Sequence, residues 1–190
     1  MRLLVYAAAL ALAGAAAAAD PAAGERKAAT CAACHGERGN STNPAVPSLA
    51  AQPAQFLSTA LYMFRAGDRQ DAQMTPMAKP LSNTEMNDLA AYFAAQKPAP
   101  PRHQTSAENA KQGPELARKF HCTQCHGAQL LGQQQMPRLA GQQYDYLRAQ
   151  LRGFRDRKRA DLDGKMSESA QGLSDQDIDA LADYMAGLGG

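Results

Sequence analysis

The sequence predicts an all-α protein built from two tandem domains, each with three main helices. Three observations support this fold class. Apolar residues recur at helical spacing, as in the stripe formed by Leu57, Ala60, Leu61 and Phe64. No run shows the alternation of apolar and polar residues that is typical of a strand. The two halves of the chain also align with each other, on either side of a proline-rich stretch at 97–102.

The internal repeat indicates a tandem duplication of one small domain. The matched positions are Pro47 and Pro137, Gln52 and Gln142, Leu57 and Leu147, Leu61 and Leu151, Phe64 and Phe154, Arg65 and Arg155, Arg69 and Arg159, Leu81 and Leu173, and Tyr92 and Tyr184. Two units are too few for a solenoid. The sequence therefore predicts domains at 20–97 and 106–190, joined by a semi-rigid linker at 98–105.

Each half contains start signals and apolar stripes for three helices. The first helix is predicted at about 24–33 in one half and 107–120 in the other, running into a cysteine-rich motif. The second begins after Gln52 or Gln142. The third begins at a capping box, Ser82 with Glu85 or Ser174 with the related Asp177, so its start is the best defined.

The N-terminal segment, residues 1–19, has the features of a cleaved secretory signal. Arg2 supplies a positive start, an apolar run follows, and small residues with an Ala-x-Ala exit precede Asp20. The apolar run is too short and alanine-rich for a typical membrane-spanning helix. We therefore expect cleavage after Ala19 and export to the periplasm.

A pentapeptide of the form Cys-x-x-Cys-His occurs once in each half. The two copies are Cys31, Cys34 and His35, and Cys122, Cys125 and His126, which use all four cysteines of the chain. This spacing is the attachment pattern of c-type haem, in which two thiols bond the haem and the histidine ligates the iron. In an oxidising compartment the thiols could instead form two disulfides, but a histidine directly after each pair favours haem.

The repeat also selects the second axial ligand of each iron. Met74 aligns with Met166, and both lie eight residues before the capping serine of the third helix. The other methionines align with unlike residues, which is typical of core or surface positions. We therefore predict that iron is ligated by His35 and Met74 in one half and by His126 and Met166 in the other, with Met77 as the alternative to Met74.

Two further sets of repeated residues have open interpretations. The carbonyls of Pro47 and Pro137 could accept the Nδ1–H of the ligating histidines, or both residues could be ordinary loop prolines. Four arginines could pair with haem propionates, although a solvated helix face is expected for at least two of them; they are Arg65, Arg69, Arg155 and Arg159. His103 and His121 have no counterpart in the other half and are expected not to ligate iron.

Composition limits the function classes. The formal net charge is only +2, which gives no indication of a nucleic-acid-binding protein. Aromatic residues make up 6% of the chain and tryptophan is absent, so each half has little apolar mass for a core of its own. Large prosthetic groups would supply that missing mass.

These motifs resemble the cytochrome c4 family over essentially the whole chain after the signal segment. The resemblance depends on the two haem motifs, on the stretch Met74 to Met77, and on the Pro-x-Leu-Ala segments that begin at Pro47 and Pro137. It implies two class I cytochrome c domains facing each other across a pseudo-two-fold interface, with His/Met ligation and a periplasmic location. It also implies electron transfer between redox proteins, with quinol–cytochrome c reductase as donor and a haem–copper oxidase as acceptor, and association with membrane complexes at most peripheral.

Three functions remain as hypotheses at this point. The favoured one is an electron carrier without substrate chemistry of its own. The second is the dihaem electron-accepting subunit of a dehydrogenase complex, such as a sulfide-oxidising flavocytochrome. The third is a dihaem peroxidase, which would need an iron with an open distal position, and the paired Met74 and Met166 argue against it.

Overall fold

The computed structural model describes residues 18–189, and this part of the chain contains nine α-helices and no β-strand. The predicted all-α class is confirmed. The signal segment predicted at 1–19 lies outside the described residues, apart from Ala18 and Ala19. None of the helices in the described part is long and apolar enough to cross a membrane.

Four helices and a short 3-10 turn form the N-terminal half. They are α1 at Pro21–His35, the 3-10 turn at Glu37–Gly39, α2 at Ala54–Ala66, α3 at Met74–Ala78 and α4 at Asn83–Ala94. Five helices form the C-terminal half: α5 at Ala107–Lys119, α6 at Cys122–His126, α7 at Tyr144–Arg155, α8 at Lys165–Ala170 and α9 at Asp175–Gly187. The short helices α3 and α8 are additional to the three helices that the sequence predicted for each half.

The first helix differs between the halves. In the N-terminal half α1 includes the whole cysteine motif and ends at His35. In the C-terminal half α5 ends at Lys119, and His121 takes a left-handed conformation with φ of 58°. A right-handed helix cannot pass through that conformation, so the motif forms a separate helix, α6. The predicted continuous helix at 107–120 was therefore slightly too long.

The third helix of each half begins as predicted. The Ser82 side chain accepts a hydrogen bond from the Glu85 backbone N–H, and the Glu85 carboxylate accepts from the Ser82 backbone N–H. Ser174 and Asp177 form the same reciprocal pair at the start of α9. Both capping boxes satisfy amide groups that a helix start otherwise leaves without partners.

Each first helix crosses the third helix of its own half at a glycine. A Cβ atom added to Gly24 in α1 would lie 2.1 Å from the carbonyl oxygen of Asp88 in α4. A Cβ on Gly113 in α5 would lie 2.3 Å from Cγ of Tyr184 in α9. Only glycine permits this close approach, and the resulting crossing fixes where the motif at the end of the first helix lies.

Candidate functional site

A cavity of about 1630 Å³ extends across both halves of the molecule. Residues of both cysteine motifs line it, together with apolar side chains of the second and third helices. Pockets for a single ligand usually have volumes of about 300–1,000 Å³. The cavity is therefore large enough for two large groups held close together.

The cysteines of both motifs lie on the cavity wall. Cys31 and Cys122 are half-buried, whereas Cys34 and Cys125 are exposed. Burial raises the pKa of Cys122 to about 11 and also raises the pKa of Cys31. A raised pKa keeps these two thiols protonated and makes them poor nucleophiles for disulfide exchange, and an apolar wall suits a covalently bound apolar group.

The two motif histidines are buried and identically oriented. Nδ1 of His35 lies 2.8 Å from the carbonyl oxygen of Pro47, and Nδ1 of His126 lies 2.7 Å from that of Pro137. Of the two interpretations open for these prolines, the structure thus favours the hydrogen-bonded one. Burial lowers the pKa of both histidines, although the proline carbonyls oppose that effect. A neutral imidazole that donates from Nδ1 keeps the lone pair of Nε2 for a metal.

Met74 and Met166 both line the same cavity and are half-buried. They lie in α3 and α8, the short helices that follow the second long helix of each half. Met77 also borders the cavity, but it is 44% exposed. The structure thus brings the paired cysteines, the histidine and the repeated methionine of each half to the wall of one cavity.

Two aspartates that were not predicted from the sequence hold the methionine segments. A carboxylate oxygen of Asp71 accepts a hydrogen bond from the Met74 backbone N–H at 2.9 Å. Asp161 accepts from the Met166 backbone N–H at 2.8 Å and from Ser167. These hydrogen bonds anchor the first turn of each short helix. The sequence does contain an acidic residue shortly before each repeated methionine. Its distance from the methionine differs by two positions between the halves, so the repeat did not align the two aspartates.

Two of the four repeated arginines contribute to the cavity wall. Arg69 stacks on Phe64 and Arg159 stacks on Phe154, with the guanidinium carbons 4.4 and 4.2 Å from the ring centroids. Arg69 also donates a hydrogen bond across the domain interface to the Tyr146 hydroxyl at 3.1 Å. The repeated arginines Arg65 and Arg155 instead donate to the backbone carbonyls of Leu81 and Leu173, which lie just before α4 and α9.

The charge around Arg159 is unbalanced. Its Nε atom is buried and has no hydrogen-bond partner within the described part of the chain. Burial lowers the pKa of Arg159 to about 10. Burial alone would raise the pKa of Tyr146, but the positive charges of Arg69 and Arg159 outweigh that effect and lower it. A buried donor without a partner is costly, and a carboxylate at the cavity wall would satisfy it.

These features together fit haem. The cavity offers paired thiols, an oriented neutral imidazole and a thioether in each half, and a guanidinium donor that suits a haem propionate. Nothing in this donor set requires a second type of cofactor. When bound, haem supplies reversible one-electron chemistry at its iron.

Comparison with known proteins agrees with this interpretation. The family model described as cytochrome c matches the chain twice, at residues 21–97 and 110–189. Cytochrome c4 of Thiocapsa roseopersicina is 42% identical over 181 residues, covering 89% of this chain and 93% of the relative. The crystal structure of reduced recombinant cytochrome c4 from Pseudomonas stutzeri superposes with a TM-score of 0.84 at 38% identity, covering 90% of this chain and 100% of that one.

A second group of similar proteins has names that refer to thiosulfate dehydrogenase. A protein named thiosulfate dehydrogenase electron acceptor, from Thiomonas intermedia, is 36% identical over 172 residues, covering 84% of this chain and 79% of the relative. A thiosulfate dehydrogenase structure from Marichromatium purpuratum superposes with a TM-score of 0.75 at 30% identity, covering 87% of this chain and 39% of that one. The family model matches both halves of the chain, and the relatives and solved structures agree with it. The chain therefore belongs to the cytochrome c4 family of dihaem electron-transfer proteins and carries two covalently attached haem c groups.

Proposed function

We propose that Cys31, Cys34, His35 and Met74 hold the haem of the N-terminal half, and that Cys122, Cys125, His126 and Met166 hold the haem of the C-terminal half. In this assignment the two cysteines of each set form thioethers, and the histidine and methionine are the axial ligands of the iron. The observation that carries the proposal is the presence of both complete sets on the wall of one cavity. Asp71 and Asp161 would hold the methionines in place.

The chain would act as an electron carrier without substrate chemistry of its own. A thioether on the distal side favours the ferrous state and occupies the position that a peroxide would need. The proline carbonyls fix the tautomer of each histidine. Arg69 and Arg159 would balance the propionate charges where the two halves meet, and the Tyr146 hydroxyl would hold Arg69 in place. Two haems in one cavity would let the chain hold two electrons or pass one between its halves.

We place this carrier in the periplasm, because the N-terminal segment has the pattern of a cleaved signal. Within a respiratory chain it would accept electrons from the quinol–cytochrome c reductase side and deliver them to a haem–copper oxidase. The family resemblance is the basis for these partners.

The central experiment is an optical redox titration of the mature holo protein. We expect two haems per chain, two one-electron potentials and a Met-to-ferric-iron charge-transfer band. Met74→Leu and Met166→Leu should each remove about half of that band. A titration showing one haem per chain, or tight cyanide binding by the unaltered protein, would contradict the carrier proposal.

Matched controls are available in both halves. Met77→Leu changes an exposed methionine three residues after Met74, and Met136→Leu changes a cavity-lining methionine without a counterpart in the repeat. Both should leave the charge-transfer band intact. Loss of half the band in Met77→Leu would instead identify Met77 as the ligand.

A second candidate is an electron acceptor for a dehydrogenase, and the relative from Thiomonas intermedia favours this class. Stopped-flow reduction by a purified thiosulfate dehydrogenase and by a quinol–cytochrome c reductase would discriminate between the two donors. A much higher rate with the dehydrogenase would favour the acceptor role. Purification of a stable flavin-containing complex would favour a sulfide-oxidising flavocytochrome instead.

A further inference from the structure

Two buried glutamines cross the interface between the halves. Gln52 and Gln142 occupy equivalent positions in the repeat, two residues before α2 and α7 respectively. Their residues are 3% and 6% exposed. A buried side-chain amide must find hydrogen-bond partners for both of its polar atoms, so the partners of these two residues indicate what they are for.

Each glutamine side chain bonds to both the backbone N–H and the backbone carbonyl of one residue in the opposite half. Oε1 of Gln142 accepts from the Ser48 N–H at 2.8 Å, and Nε2 of Gln142 donates to the Ser48 carbonyl at 2.9 Å. Gln52 makes the same pair with Arg138, accepting from its N–H at 2.9 Å and donating to its carbonyl at 2.8 Å. The two contacts are related by the pseudo-two-fold symmetry of the duplicated chain.

The residues held in this way directly follow the prolines that orient the histidines. The N–H of Ser48 and the carbonyl of Pro47 belong to one peptide group, and that carbonyl accepts from Nδ1 of His35. The N–H of Arg138 and the carbonyl of Pro137 form the equivalent peptide group, which accepts from His126. Each of these peptide groups therefore connects a histidine of one half to a glutamine of the other.

Hydrogen bonds at the two ends of one peptide group strengthen each other. Donation by the N–H increases the negative charge on the carbonyl oxygen, and coupling of this kind strengthens each hydrogen bond by about 10–30%. A stronger acceptor at Nδ1 makes the imidazole more basic, and a more basic ligand stabilises ferric iron. The glutamine contact thus lowers the redox potential of the iron that the histidine binds.

We propose that Gln52 and Gln142 are positioning residues that set the redox potential of the haem in the opposite half. Gln142 acts on the haem of His35, and Gln52 acts on the haem of His126. The inference rests on the proposed ligation of iron by these two histidines. It makes the interface part of each haem site, because separation of the halves would release both peptide groups and raise both potentials.

The test uses Gln142→Leu in the mature holo protein, followed by optical redox titration. We expect the potential of the N-terminal haem to rise. The ratio of ferrous to ferric iron should change about threefold at fixed ambient potential. Because a tenfold change corresponds to about 59 mV for a one-electron couple, the potential should rise by about 28 mV. The C-terminal haem should keep its potential. Gln52→Leu should give the mirror result. Met74→Leu and Met166→Leu assign each potential to its half.

Gln143→Leu is the matched control for general loosening of the interface. Nε2 of Gln143 donates across the interface to the Ser41 carbonyl at 2.7 Å. Its contact with Ser48 is a 3.5 Å hydrogen bond to the side-chain hydroxyl and does not involve the Pro47–Ser48 peptide group. This variant should leave both potentials unchanged. The Nδ1–H proton resonance of each ligating histidine in the ferrous protein provides a second measurement, and it should move only for the histidine opposite the replaced glutamine.

The crossed pattern separates this inference from a merely structural role. The inference would be overturned by a potential shift in the glutamine's own half, by equal shifts in both haems, or by two unchanged potentials. None of these results would contradict the carrier proposal, provided that both haems remain low-spin and keep their Met charge-transfer bands. If Gln142→Leu does not retain both haems, Gln142→Asn, which is too short to span both backbone groups, is judged by the same criteria.

Discussion

Around the shared cavity the two halves repeat the histidine–proline and glutamine–backbone contacts, whereas the apolar clusters behind them differ in size. In the N-terminal half the cluster of packed buried apolar residues consists of Ala28, Leu57, Leu89, Ala90 and Phe93. In the C-terminal half the cluster extends over α5, α7, α8 and α9 and includes the fully buried Leu130, Ile178, Leu181 and Met185. The other buried apolar residues of the N-terminal half, among them Met63, Phe64 and Met86, lie outside its cluster, so we expect this half to depend more strongly on its haem for a continuous core.

The outer surfaces differ in charge as well. Ser58 and Asn87 link α2 to α4 by a neutral hydrogen bond of 2.6 Å. At the equivalent positions of the repeat, Arg148 and Asp179 link α7 to α9 by an ion pair of 2.6 Å. The comparison suggests that the cavity wall was kept through the duplication while the outward surfaces diverged, since surface substitutions rarely cost more than about 0.5 kcal/mol.

Removal of one haem at a time is expected to have the largest effect. Cys31→Ala with Cys34→Ala should halve the haem content and leave the N-terminal half without enough core to fold. Cys122→Ala with Cys125→Ala should also halve the haem content, but α5 and α9 should remain packed on their larger apolar cluster. Pyridine haemochrome assays measure the haem count, and limited proteolysis with mass spectrometry locates the unfolded half.

We expect cleavage of the haem-free N-terminal half to be roughly tenfold faster than that of the haem-free C-terminal half, because proteolysis follows the population of open chain. Equal cleavage rates would show that the difference in core size has no consequence. The unaltered holo protein is the reference for both variants.

The glycine crossings should respond alike in both halves. Gly24→Ala and Gly113→Ala each place a Cβ within 2.3 Å of an atom of the facing helix. We expect each to lower the free energy of unfolding by about 2 kcal/mol, since overpacking outweighs a gain of about 1 kcal/mol in helix propensity. Urea titration followed by circular dichroism measures the loss.

Gly153→Ala is the control for these two substitutions, because its added Cβ would lie 3.2 Å from the nearest atom. Its cost should stay below about 1 kcal/mol. A large cost at only one crossing would indicate that the first and third helices pack differently in the two halves.

Asp183 of α9 makes more hydrogen bonds than Asp88 of α4, which accepts from the backbone N–H of Asp20 at the start of the first helix. The Asp183 carboxylate accepts hydrogen bonds from Ser106 and Asn109 and pairs with His103, which ties the linker to α9. Burial alone would raise the pKa of Asp183, but these hydrogen bonds outweigh it and the pKa is lowered. The carboxylate therefore stabilises the fold above its unfolded pKa of about 3.9, and this contribution is lost as the pH falls through the lower folded pKa.

We accordingly expect Asp183→Asn to destabilise the protein by about 1–2 kcal/mol at pH 7, because an amide nitrogen would face donors that need an acceptor. The difference from the unaltered protein should shrink in acid. Urea titrations at several pH values test this. Asp68→Asn, at an exposed position after α2, should show no such pH-dependent difference; a pH-independent loss in Asp183→Asn would contradict the role of the charge.

The sequence was informative wherever a signal is local or repeated. Two capping boxes and two haem motifs have fixed local spacing, and the alignment of Met74 with Met166 separated these two from the other methionines. The contacts of Gln52 and Gln142 could not be predicted, because they join residues 86 and 94 positions apart. Their alignment with each other was visible, but alignment does not show that a polar side chain is buried or what it binds.

The smallest expected effect comes from making one outer surface resemble the other. Asp179→Asn gives α9 the neutral residue that α4 has at Asn87, and it removes the carboxylate that pairs with Arg148 and Arg152. Because the Asp179 side chain is 41% exposed, solvent screens these pairs, and we expect a loss of about 0.5–1 kcal/mol at low salt. At about 1 M salt the Debye length falls to about 3 Å, so the loss should nearly vanish.

Urea titrations at the two salt concentrations measure this loss of unfolding free energy. Asn87→Ala is the matched change in α4, where a neutral hydrogen bond should show no salt dependence. A salt-independent loss in Asp179→Asn would show that packing, and not charge, distinguishes the two outer surfaces.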